Sequence, residues 1–452
     1  MRADRLEDRL RQDRLPRAVT RFASIAGVAA LLLAAASTVH AAPAADAPRV
    51  VGHVGATPQY AAIVPAARPL ARPAPEDVAL GRRLFADTRL SQPRGTSCAS
   101  CHDPATAFTG FNGGRDGVAG GSLRGRLGTR NPPSLTYARY LPPLYFYQDD
   151  DAQAPAPFGG LMLDGRADTL AAQAREPLLA RHEMNLGTPR AAARRLREAG
   201  YEVAFEARHG AGVLRDPARA LDAFGHALEA YLRSDELAPF DSRFDDELRG
   251  KPSLSAQERR GLAIFRNPDQ GNCASCHSVS VTSSNPARSL FTDFGYEALG
   301  VPRNRALPAN ARADAYDPGL CRTARARRWP DAEAWCGYFR TPSLRNVAVR
   351  ERFMHNGVFD SLRDTVRFYA TRSTDPAAWY GRHPAFDDLP ASMRGNVNTV
   401  STPLNRRAGA TPALSDDDID ALVAFLGTLT DRRYLAGVTT PGPATTVPVP
   451  RP

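Results

Sequence analysis

Apolar residues recur at helical spacing in four stretches of the chain. In Pro75 to Phe85 (PEDVALGRRLF) and Ser255 to Phe265 (SAQERRGLAIF) they fall at three- and four-residue intervals, and both stretches end Gly-x-x-Leu/Ile-Phe. That spacing predicts an amphipathic helix in each. Ser255 with Glu258 makes a capping box for the second, which Asn267-Pro268 should stop. Pro217 to Ser234 and Ser415 to Asp431 carry the same period. Each half therefore opens and closes on a helix, with the boundary near Asp246 to Leu254. Alternating polar and apolar runs are few, so strands should be minor and the chain all-α.

The ends lack this pattern. An Arg-rich start, the apolar run Phe22 to Ser37 and the small-residue site ending at Ala41 read as an export signal over 1–41. The run is short for a membrane span, and no later segment could supply one, so no span is expected after cleavage and the location is periplasmic. Residues 42–74 form a Pro/Ala-rich leader, and the Pro-rich tail 436–452 should be disordered. Two domains, 75–250 and 251–435, lie between.

Composition adds two constraints. The formal net charge of +10 comes from Arg spread along all 452 residues. Without a basic block this speaks against nucleic acid and leaves a positive face for an acidic redox partner. Of the six cysteines, four lie in a doubled Cys-Ala-Ser-Cys-His: Cys98, Cys101 and His102, then Cys273, Cys276 and His277. Two thiols that add to porphyrin vinyls, followed by an imidazole that binds iron, is the c-type haem motif. Zinc or a redox C-x-x-C is the lesser reading. Each motif follows its opening helix by a short loop, so the plan is two cytochrome c-like domains, each with one covalent haem. The remaining pair, Cys321 and Cys336, should form a disulfide in an oxidising compartment. No His lies between His102 and His182, and Met162 is the only Met in that interval. The first iron should thus have an open sixth position, reactive towards peroxide or oxygen.

The segment LMLDGRADTLAAQAREPLLARHEMNL (Leu161 to Leu186), the stretch RNPPSL, and the later FRTPSLRNV and FMHNG carry a resemblance. With the two haem motifs, they make the chain from about Pro75 to Asp431 resemble the bacterial di-haem cytochrome c peroxidase / MauG family. The resemblance implies that Gln173 and Glu183 line the distal face of the peroxidatic haem and that Pro177 limits access. The chemistry agrees: peroxide heterolysis needs a proton moved between its oxygens, which a carboxylate does as base and then acid. Gln173 can orient peroxide, while Pro177 adds bulk and no donor. His182 reads as a surface residue.

Two departures from the family pattern stand out. A switch His expected near Leu123 is absent, and Leu163 replaces a Trp that lies between the haems. For the second haem the resemblance implies Tyr369 as distal ligand, with Met393, Met354 or a purely structural Tyr369 as alternatives. His355 is expected to bond a haem propionate. The resemblance also implies a calcium ion held by the Asn131 side chain and the carbonyls of Arg350 and Arg352, although Arg charges oppose a cation. The function implied is reduction of hydrogen peroxide with electrons from a small c-type cytochrome or cupredoxin. The rivals are an oxidase that matures side chains of a protein substrate, and a non-enzymatic electron carrier.

Overall fold

A computed structural model describes residues 71–148, 155–323, 326–329 and 331–437. The export signal, the leader up to residue 70 and the tail from residue 438 lie outside the described residues. The described residues form eleven α-helices: α1 (Pro75–Ala86), α2 (Cys98–Cys101), α3 (Leu170–Leu179), α4 (Pro189–Glu198), α5 (Glu202–His209), α6 (Pro217–Leu232), α7 (Arg243–Leu248), α8 (Ala256–Arg266), α9 (Leu362–Thr371), α10 (Pro376–Tyr380) and α11 (Asp416–Gly427). Among the described residues sheet is confined to two antiparallel pairs, β1 (Tyr145–Tyr147) with β2 (Ala156–Phe158) and β3 (Tyr296–Glu297) with β4 (Phe339–Arg340). The architecture is mostly helical, as the periodicity predicts. No described helix is long and apolar enough to cross a membrane.

The repeated Gly-x-x-Leu/Ile-Phe has a packing cause. A Cβ on Gly81 of α1 would stand 2.0 Å from the Ala227 carbonyl oxygen of α6, and one on Gly261 of α8 would stand 2.0 Å from that of Ala421 in α11. Only glycine lets these helix pairs cross so closely. Four residues on, Phe85 meets Tyr231 edge-on at 5.4 Å, and Phe265 meets Phe425 edge-on at 5.4 Å. Leu84 and Phe85 belong to one apolar core, with Phe224 and Leu228; Ile264 and Phe265 belong to a second, with Phe291 and Phe425. The α8 capping box forms as the sequence predicts, whereas Ala74 before α1 offers no side-chain cap. Phe244 of α7, ahead of position 250, packs with the second core.

The halves are joined by buried polar groups. Tyr137 donates to Asp431 Oδ1 at 2.6 Å, and Asn346 Nδ2 donates to Oδ2 of the same carboxylate at 2.8 Å. Nearby, Arg345 and Asp245 form a bidentate pair with both contacts at 2.8 Å and no side-chain exposure. At such depth removing one partner costs far more than the pair gains, so the pair fixes geometry above all. Gly117 and Gly357, both in left-handed backbone, touch across the halves: a Cβ on Gly117 would lie 2.4 Å from the Gly357 carbonyl oxygen.

Candidate active site

The first site grows from α2. A capping box of Ser97 and Ser100 holds this single turn, which presents Cys98 and Cys101 and ends at His102. Phe108 takes a left-handed φ of 58°, and its carbonyl accepts from His102 Nδ1 at 3.0 Å. A carbonyl only accepts, so the imidazole proton sits on Nδ1 and Nε2 keeps its lone pair. Burial reinforces the neutral form, lowering the His102 pKa to about 4. Burial also pushes the Cys98 and Cys101 thiols up to about 12. No cluster of three or more His, Cys, Asp or Glu that could hold a metal ion occurs among the described residues.

Cys101 and His102 line a cavity together with Met162, Gln173, Pro177 and Glu183. Gln173 and Pro177, four residues apart on α3, share the helix face that meets it. Thr169 caps α3 by accepting from Ala172 N at 3.0 Å. The chain then turns back, with Glu183 N donating to Ala180 O at 3.0 Å, which brings Glu183 to the same cavity. Glu183 is half-buried, and burial raises its carboxyl above the usual range against the opposing charges of His182 and Arg166. His182 is exposed, yet it lines the same cavity beside Glu183.

The second site repeats the arrangement. Phe291 has φ 56°, and its carbonyl accepts from His277 Nδ1 at 2.9 Å. Cys273, Cys276 and His277 line a cavity that Tyr369, from α9, and Met354 also line. Met393 does not; it packs against the separate cluster around Tyr296, Leu320 and Trp335. Burial raises the Tyr369 phenol above its ordinary value. Two guanidiniums, those of buried Arg340 and half-buried Arg350, line this cavity with no carboxylate at ion-pair distance among the described residues. A haem brings two carboxylates of its own, so these cations fit it, as do the paired thiols and the free Nε2 lone pairs. Sequence reasoning named Arg350 only for its carbonyl and missed both guanidiniums; the only signal was Arg recurring through FRTPSLRNVAVRER.

Six residues line both cavities: Asn131, Pro133, Leu163, Asp317, His355 and Asp388. Leu163 therefore lies between the two sites. His355 stacks on Phe339, with centroids 3.8 Å apart and planes at 13°, and its Nε2 donates to Asp388 at 3.1 Å. For calcium the donor set is only partly open. Asn131 Oδ1 is a buried acceptor without a partner, but Asn131 Nδ2 donates to the Arg352 carbonyl at 2.9 Å and Arg350 Nε donates to the same carbonyl at 3.3 Å. A guanidinium already on that oxygen opposes a divalent cation, so no step is assigned to calcium.

The cavity of His102 has a charged mouth that the sequence did not announce. Arg130 bridges Asp164 at 2.7 Å and Asp317 at 2.6 Å, and Arg166 holds Glu176 at 2.7 Å. Asp317 comes from the second half, so only the tertiary fold unites these groups. The disulfide Cys321–Cys336 is formed.

Comparisons with known proteins agree with this geometry. The family model described as di-haem cytochrome c peroxidase matches residues 75–253. The methylamine utilization protein MauG of Paracoccus denitrificans is 39% identical over 383 residues, covering 83% of this chain and 94% of the relative. Cytochrome c551 peroxidase of Pseudomonas aeruginosa is 29% identical over 312 residues, covering 69% and 74%. The crystal structure of the diheme peroxidase BthA from Burkholderia thailandensis superposes with a TM-score of 0.79 at 54% identity, covering 82% of this chain and 91% of that one. The doubled haem motif, the shared cavity of His102, Gln173, Pro177 and Glu183, and this likeness over most of the length lead to one assignment: the chain belongs to the di-haem cytochrome c peroxidase / MauG family.

Proposed function

We propose that this protein is an exported, periplasmic di-haem c-type peroxidase that reduces hydrogen peroxide with electrons from a small c-type cytochrome or cupredoxin. The observation that carries the reading is the gathering of Glu183, Gln173 and Pro177 in the cavity of His102. Bound haem would supply the iron and the redox equivalents, held by Cys98, Cys101 and His102 in one half and by Cys273, Cys276, His277 and Tyr369 in the other. Gln173 orients peroxide by hydrogen bonding, and Pro177 keeps a competing donor away. The Glu183 carboxylate accepts a proton from one peroxide oxygen and returns it to the other, so that the departing oxygen leaves as water. Burial, which raises that carboxyl, suits it to both halves of the transfer. Two electrons and two protons per peroxide then give two waters.

Identity of 39% to MauG supports a second reading, in which the electrons come from side chains of a protein substrate. Steady turnover of peroxide with a reduced c-type cytochrome favours the first reading; oxidation of a co-expressed protein without such turnover favours the second. Glu183→Gln should keep both haems and their spectra but slow peroxide consumption by ~10²-fold, the usual loss for a general acid/base. A rate unchanged within about twofold removes Glu183 from the mechanism.

A further inference from the structure

Two of the three tryptophans of the chain, Trp329 and Trp335, lie in the segment closed by Cys321–Cys336. Phe146, at the surface on β1 and 44% exposed, packs edge-on against Trp329 with centroids 4.7 Å apart. Trp329 meets Trp335 at 6.5 Å, and Trp335 meets Tyr338 at 5.2 Å. Trp335 and Tyr338 are buried, at 8% and 5% exposure. The neighbours of Tyr338 in the chain, Gly337 and Phe339, both line the His277 cavity. The disulfide and the bonds from Asn396 Nδ2 to the carbonyls of Glu333 (2.9 Å) and Cys336 (3.1 Å) hold the segment in place. Tryptophan and tyrosine are the side chains that lose and regain one electron most readily among the aromatics, and here three stand in succession from half-buried Trp329, under exposed Phe146, to Tyr338, whose chain neighbours line the cavity.

We propose that Trp329, Trp335 and Tyr338 form a route along which oxidising equivalents leave the His277 cavity for the surface, where a one-electron donor refills Trp329. The proposal rests on the peroxidase reading, because hydrogen peroxide is its oxidant. Tyr338 gives one electron towards the cavity while its hydroxyl proton passes to the carboxylate of Glu297, which lines that cavity and pairs in register with Phe339, next to Tyr338. Trp335 refills Tyr338, the proton returns, Trp329 refills Trp335, and the donor refills Trp329. Each passage moves one electron inward; two passages, with two protons from solvent, convert one hydrogen peroxide to two waters.

The test treats the haem-loaded protein with peroxide and no donor, then follows the haem absorbance, an aromatic radical by freeze-quench EPR, and oxygen incorporation at each tryptophan by mass spectrometry. The expected result is a radical and preferential oxidation of Trp329. In Trp335→Phe, Trp329 oxidation should fall about tenfold or more with the first haem response unchanged, while Trp335→Tyr, equally altered in packing but redox-active, should retain it. Oxidation of Trp329 that persists in Trp335→Phe, or is lost alike in both variants, overturns the route. So does oxidation concentrated on Trp379, which packs on Phe368 beside Tyr369. If peroxide leaves the haem absorbance unchanged, the peroxidase reading itself fails and the route loses its oxidant.

Discussion

In the first half, α1, Gly81, His102 and α6 answer in order to α8, Gly261, His277 and α11 in the second. Both halves hold the histidine by the same device, a left-handed phenylalanine whose carbonyl fixes Nδ1–H. They part company at the residues that complete each cavity. Glu183, Gln173 and Pro177 complete the first, whereas Tyr369 and Met354 stand in the second. The difference teaches where function is free to vary. The motif and its crossing helices dictate the histidine and its support; the rest of the wall comes from segments the motif does not constrain.

Adding a side chain at the helix crossings would break the likeness at its root. Gly81→Leu and Gly261→Leu should each cost about 3 kcal/mol or more, the upper range for overpacking, since the obstruction is backbone in both. Denaturant unfolding would show it; a variant within about 0.5 kcal/mol of the parent would mean the crossing can open freely. The disulfide belongs to the second half alone. Cys321→Ser with Cys336→Ser should cost about 3 kcal/mol for a loop of this length, without changing the His102 haem spectrum. Helix starts also separate the halves. Ser255→Ala should cost about 1 kcal/mol by removing the α8 cap, while Ala74→Ser should gain about 0.5 kcal/mol at the uncapped α1. Equal responses at the two positions would contradict the cap assignment.

The smallest effect concerns acid. Because burial raises the Glu183 carboxyl in the folded state, ionising it opposes folding, and that penalty is fully present above its folded pKa. It fades as pH falls through the folded value towards the ordinary carboxylate range. Glu183→Gln should therefore raise Tm at neutral pH, with the gain vanishing in acid. A gain that grows as pH falls would reverse the sign and refute the burial argument.

Much of this was legible in the sequence because it rests on local rules. The 3.6-residue period gave α1, α6, α8 and α11, Ser255 and Glu258 gave a helix start, and the doubled motif gave the two histidines with their thiols. The repeated glycine was visible as a pattern, but its cause lies about 150 residues away on another helix. Arg340, Arg350 and the bridge from Arg130 to Asp317 were not legible, since one Arg among many is marked only by what surrounds it once folded. Met393 illustrates the reverse: as a methionine downstream of the second motif it suited a ligand, and only the fold shows it against a different cluster.

The contact between Gly117 and Gly357 reaches beyond packing. With a Cβ at either position lying 2.4 to 2.5 Å from backbone of the other, there is no slack between the halves at that point. Electron tunnelling decays exponentially with separation, so on the proposed function, in which the two halves exchange electrons, a methyl group at residue 117 that pushes them apart would act as a spacer and slow that exchange.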